Sequence, residues 1–169
     1  MKLARKTIRN VEVERFSLTS SKPFDQVVAA LNAAIGHPNI KEFWESAHHA
    51  KSMTEVETIV QKSVGSAGLM LFVDLDHGAV VRKGTSHEAP RILRFVIGDP
   101  LIMKEMAKRV PDAGSYAPVT VLVDERADGV HLSYDRMVSF LKPYGNAEAL
   151  KVAKDLDAKV EALLASAAA

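Results

Sequence analysis

The chain contains no cysteine. That excludes disulfides, iron–sulfur clusters, thiolate zinc sites and a catalytic thiol. It also fits a reducing cytoplasm, where disulfides rarely persist. No apolar run approaches the ~20 residues that a membrane span requires, and no apolar segment follows the basic start as in a secretory signal. Neither sign of charge is in excess: 22 Lys and Arg stand against 21 Asp and Glu, a formal net charge of +1. Such a balance offers no strong field to nucleic acid or anionic lipid. The one local excess, Lys2, Arg5, Lys6 and Arg9, has no aromatic partner and reads as a solvated terminus. Also missing are a phosphate-binding glycine loop, a His-Glu-x-x-His run and a Gly-x-Ser-x-Gly elbow. What is present is 169 residues, 47% hydrophobic and 25% charged, ordinary for one soluble domain with a sizeable core. The expectation is a soluble, cytoplasmic, bacterial-type protein.

The apolar pattern orders the chain. Val11 to Thr19 reads as a first strand with a change of parity near Glu14. Pro23 opens a helix whose stripe is Phe24, Val27, Val28, Leu31 and Ile35, ended by Gly36 and Pro38. Asn39 with Glu42, and Ser52 with Glu55, predict reciprocal capping boxes for two more helices. From Gly68 to Asp76, Leu69, Leu71, Val73 and Leu75 point one way and Met70, Phe72 and Asp74 the other. Ala79 to Arg82 is expected to be a short return strand. Arg91 to Ile97 is apolar on both faces, which predicts a central strand. Asp99 caps a helix with Pro100 at its first position. Pro118 to Glu125 and Val130 to Asp135 form a hairpin around Arg126-Ala127-Asp128-Gly129. Asn146 caps a last helix with an apolar stripe from Ala149 to Leu164, and the Ala-rich tail after it is expected to fray. These elements predict a single α+β domain over 1–169. Its core covers 10–145, with a helical insertion over 37–65 and a C-terminal helix over 146–166.

Three segments carry a family resemblance. They are Phe95-Val96-Ile97-Gly98-Asp99-Pro100, Ala117-Pro118-Val119-Thr120-Val121-Leu122-Val123-Asp124-Glu125 and Leu132-Ser133-Tyr134-Asp135. With the turn at Asp76-His77-Gly78-Ala79, they resemble the bacterial domain-of-unknown-function 302 family. Asp99 stands where that family usually has Asn, and the helices from Ile40 to Val64 are absent from its minimal members. The resemblance implies an α+β fold with helices packed on one face of a curved, mainly antiparallel sheet. It implies no reaction.

Candidate chemistry comes from side chains that the strands bring together. The hairpin register predicts Asp124 opposite His131, either a surface ion pair worth at most about 1 kcal/mol or a carboxylate-oriented acid–base histidine. Asp74, Arg94, Asp124, His131 and Ser133 share the polar parity of their strands and would line a solvated face or a charged pocket. Arg94, in an otherwise apolar strand, is expected to pair with Asp74 or Asp124, because an unpaired buried guanidinium is costly. Asp74, Asp76, His77 and His87 are the only loose metal set, and no metal is expected. Ser86 and Ser133 beside histidines are too common an arrangement to signal a hydrolase. Leu101, Ile102 and Met103 are consecutive on one short helix and exceed one buried stripe, as do Phe43 and Trp44. This surplus is absorbed by several elements, by a homodimer interface, or by an apolar cavity that Met103 and Met106 would suit. The leading expectation is a non-catalytic small-molecule-binding or interaction module, homodimeric, without cofactor. Its ligand residues would be Arg94, Asp124, His131, Tyr134, Met103 and Met106. The rivals are a cofactor-independent acid–base enzyme using His131 with Asp124, or His77 with Asp74, and a structural dimerisation protein.

Overall fold

The computed structural model describes residues 4, 6–85 and 89–169. Its centre is a five-stranded, open, wholly antiparallel sheet in the order β1-β5-β4-β3-β2. The strands are β1 Arg15–Ser20, β2 Met70–Asp76, β3 Ile92–Gly98, β4 Val119–Arg126 and β5 Gly129–Asp135. Alternation puts Phe95, Ile97, Val119, Val121, Val123, Leu132 and Tyr134 on one face, all buried. That face is covered by α1 Phe24–Ala34 and by the 22-residue α7 Ala147–Ala168, whose Ala153, Leu156, Val160 and Leu164 join the same core. Between β1 and β2, α2 Ile40–His49 and α3 Met53–Ser63 form a smaller cluster in which Phe43 and Val60 enclose Met70. The remaining helices are α4 His77–Gly84, α5 Pro100–Ala107 and α6 Met137–Leu141.

Local chemistry accounts for most boundaries. Asp99 Oδ1 accepts from the Leu101 amide at 2.7 Å, and Pro100 stands at the first turn of α5 as expected. Asn146 accepts from Ala149 N at 2.9 Å to start α7. The hairpin pairs Arg126 with Gly129 around a two-residue turn, with φ +136° at Gly129. Glycine alone adopts that angle without strain.

Several expectations are corrected. The first strand begins at Arg15, not Val11. Neither capping box closes on the backbone N–H of its cap residue: Glu42 accepts from the Asn39 side-chain Nδ2 at 3.0 Å while Asn39 Oδ1 accepts from two helix amides, and Glu55 accepts from Lys51 N at 2.8 Å while Ser52 Oγ accepts from Glu55 N. Ala79 to Arg82 is helical, because the Asp76 carboxylate accepts from Ala79 N at 2.8 Å and nucleates α4. A bulge between Leu71 and Val73 breaks the parity of β2 and turns Asp74 to the face of Phe95. The C-terminal tail stays helical to Ala168, where its carbonyl accepts from Ser20 Oγ at 2.6 Å. The surplus apolar residues of α5 divide between two clusters: Leu101 packs with Phe43 and Met70, Ile102 and Met103 with the main core.

One charged group sits inside this core. Asp157 of α7 is 0% exposed. Its carboxylate accepts from Tyr134 Oη at 2.6 Å, Met137 N at 2.7 Å and Val138 N at 3.1 Å. It thereby binds the end of β5 to α7 and caps α6. Arg136 lies 3.9 Å away and also meets Glu161 at 2.9 Å and Glu14 at 2.7 Å, so positive charge faces the buried carboxylate. Burial and the adjacent carboxylate push the Tyr134 phenol far above its ordinary range, which keeps it a donor. Asp157→Ala would leave the Tyr134 hydroxyl and the Val138 amide without an acceptor, each worth ~1–3 kcal/mol, and would leave Met137 N only its longer bond to Tyr134 Oη at 3.2 Å. We expect a loss of about 3 kcal/mol or more in urea unfolding, and about 1 kcal/mol for Tyr134→Phe, which removes the hydroxyl donor and its weaker bond from Met137 N but leaves both amide bonds to Asp157.

Candidate functional site

The opposite face of the sheet is only partly covered. Its rows are Ile92, Asp124 and His131, then Arg94, Leu122 and Ser133, then Val96 and Thr120. Above the latter two rows lies an open groove of about 610 Å3. Its wall is a stacked aromatic pair, Tyr116 and Phe140, with centroids 4.7 Å apart and planes at 14°. Phe140 belongs to α6, so the helix capped by Asp157 is also the helix that shapes the groove.

Arg94 is the chemically unusual lining residue. It is half-buried between Leu75 on β2 and Leu122 on β4. Its Nη2 donates to Thr120 Oγ1 at 3.1 Å, while its Nε is shut off from solvent with no acceptor. The expected pairing with Asp74 or Asp124 does not form. Asp74 is displaced by the bulge, and Asp124 is held by Arg126 at 2.5 and 3.2 Å. Among the described residues no carboxylate neutralises Arg94. The other cation of the groove, Arg15, is neutralised by Asp135 at 2.6 and 2.9 Å.

The remaining predicted residues fall in separate places. Asp124 faces His131 in register, as the hairpin predicts. Their side chains do not meet: His131 Nε2 pairs with Asp128 Oδ1 at 2.8 Å, and neither Asp124 nor His131 lines the groove. Asp128, on the turn, is 68% exposed. Its carboxyl is held below the ordinary range chiefly by the hydrogen bond from His131. Tyr134 points into the core toward Asp157 and is 1% exposed, so its ring is not a groove anchor. His77 is exposed at the start of α4, and Asp76 is committed to capping that helix and to Arg82 at 3.2 Å. His87 and Ser86 lie outside the described residues. Among the described residues no three histidine or carboxylate groups come together as a metal site.

Met103 and Met106 line a second cavity of about 250 Å3, with Trp44, Phe72, Gly98 and Ile102. Its lining is apolar except for Asp99, whose carboxylate caps α5. It adjoins the groove, since Gly114, Ala117, Pro118 and Val119 border both.

Sequence reasoning missed Asp157, Thr120, Tyr116 and Phe140. Asp157 carried a signal: it stands four residues after Ala153 and three before Val160, inside the apolar stripe of α7. The Tyr116–Phe140 stack joins residues 24 apart, on either side of the β4–β5 hairpin, and has no periodic signature.

A family model described as "Domain of unknown function DUF302" matches residues 48–167. The crystal structure of an uncharacterized conserved protein DUF302 from Bacillus stearothermophilus superposes with a TM-score of 0.62 at 10% identity. The match covers 90% of this chain and 96% of that one. At that identity the likeness is one of fold. No curated protein matches the chain. Among the described residues no helix is long and apolar enough to cross a membrane.

His131→Gln should return the Asp128 carboxyl toward the ordinary carboxylate range, read by carbon-detected NMR titration, and Asp124→Asn should leave it in place. Because that value is depressed, any stability from the pair is present above the ordinary range. It is lost as pH falls through the Asp128 value.

Proposed function

This chain belongs to the DUF302 family, and we propose that it is a non-catalytic small-molecule-binding protein, cytoplasmic and homodimeric, that takes an anionic group at Arg94. The observation that carries the reading is a half-buried guanidinium with one neutral partner and no carboxylate among the described residues. An ion in such a place is costly until an opposite charge reaches it. A bound anion removes that cost, and the Thr120 hydroxyl fixes the fork that would receive it. Aromatic and aliphatic walls from Tyr116, Phe140, Val96 and Leu122 suit the rest of a small organic molecule.

The acid–base reading is less well supported. The one histidine oriented by a carboxylate, His131, is paired with a turn residue and stands outside the groove. Self-association is supported by Val73, Leu75, Val80 and Val81, which are 42%, 38%, 75% and 40% exposed on the edge strand β2 and on α4.

Native mass spectrometry of freshly purified protein reads ligand and subunit count together. The expected spectrum is a dimer carrying a small-molecule mass that disappears on denaturation and is absent from Arg94→Gln. A ligand-free monomer that takes up no added carboxylate would contradict the reading.

A further inference from the structure

We infer that the groove and the apolar cavity are one site, and that its ligand is a single-chain amphiphile with a carboxylate at Arg94 and an alkyl tail between Trp44, Met103 and Met106. This rests on the binding function proposed above and names its ligand class.

Three observations support it. The first is continuity. Arg94 and Val96 lie on the outer face of β3, and the next residue on that face, Gly98, belongs to the apolar cavity. At this joint a Cβ on Gly98 would stand 3.1 Å from Pro118 Cβ and 3.5 Å from the Phe72 ring. Glycine therefore lets Pro118 and Phe72 pack close to the strand there, and Pro118, with Gly114, Ala117 and Val119, borders both cavities. The second is charge. Arg15 is neutralised by Asp135, and Asp99, the carboxylate in the lining of the apolar cavity, is engaged in capping α5, which leaves Arg94 as the one uncompensated cation among the described lining residues. One positive charge matches a monoanion such as a carboxylate. The third is polarity. The lining changes from Arg94, Thr120 and Ser133 at one end to Trp44, Ile102, Met103 and Met106 at the other. Flexible thioethers adapt to an alkyl chain of variable shape.

The strand path also sets a length. The four residue steps of β3 from Arg94 to Gly98 rise ~13 Å. That distance corresponds to an extended chain on the order of ten carbons at ~1.5 Å per bond in zigzag.

The single tryptophan makes the proposal measurable, since Trp44 borders the tail cavity. Monomeric decanoate, propionate and decanol would be titrated into the full-length protein. The head site is read from the Arg94 Nε–H resonance and the tail site from Trp44 emission. Decanoate should move both signals with one midpoint, and propionate only the Arg94 signal. Arg94→Gln should weaken decanoate at least tenfold and leave decanol unchanged. Unaltered Trp44 emission in the ligand-free variant serves as its folding control. Decanoate moving Arg94 without Trp44, or moving the two with different midpoints, would overturn the single-site inference and leave anion binding standing. If no probe moves the Arg94 resonance, the binding function itself fails. Equal response to decanol and decanoate would also overturn the proposal, because the cavity would then be a general apolar cleft.

Discussion

The carboxylate of Asp157 holds together the parts that would otherwise move independently. Helix α7 packs on the sheet by apolar contact alone along most of its length, and such contact is non-directional. Asp157 adds direction. Through Tyr134 it fixes the end of β5, and through the Met137 and Val138 amides it fixes the start of α6. A five-residue helix has too little length to be stable by propensity. Its position comes from this cap and from Met137 and Leu141, which are buried in the core. Phe140 then stands where it stacks on Tyr116, and the groove has a wall.

The two arginines that matter play opposite parts. Arg136 is surrounded by Glu14, Asp157 and Glu161, so its charge is spent on structure. Arg94 has a threonine hydroxyl and apolar neighbours. A folded chain that neutralises Arg15, Arg126 and Arg136 and leaves Arg94 facing a groove has placed an uncompensated charge in a groove that adjoins an apolar cavity. That contrast between neighbouring cations, rather than any constellation of acid and base, is the basis of the functional reading.

The strands were legible because each of β3, β4 and β5 obeys a simple rule. Apolar residues on both faces of β3 marked it as central, and the Arg126-Ala127-Asp128-Gly129 loop fixed the register that sets Asp124 opposite His131. The proline and aspartate at the head of α5 named their own helix start. The sequence misled where one side chain overrides a pattern. The bulge beside Phe72 reversed the expected facing of Asp74, and the Asp76 cap made a helix from a segment expected to be a return strand. For the site, Arg94 stood out as a lone charge in an apolar strand, and Met103 and Met106 as surplus flexible residues. Their partners did not stand out. Thr120, Tyr116 and Phe140 reach the groove through tertiary packing that no local spacing encodes.

The central claim is that a buried carboxylate anchors the groove wall as firmly as the core. Amide hydrogen exchange at Met137 and Val138 tests it most directly, because these two groups donate to Asp157. If the anchor holds, both amides exchange only through global unfolding, with the same opening free energy as the central amides of β4 and β5. Exchange at the rate of a fraying surface turn, while the strands stay protected, would show that α6 opens locally. The groove would then not be a preformed site.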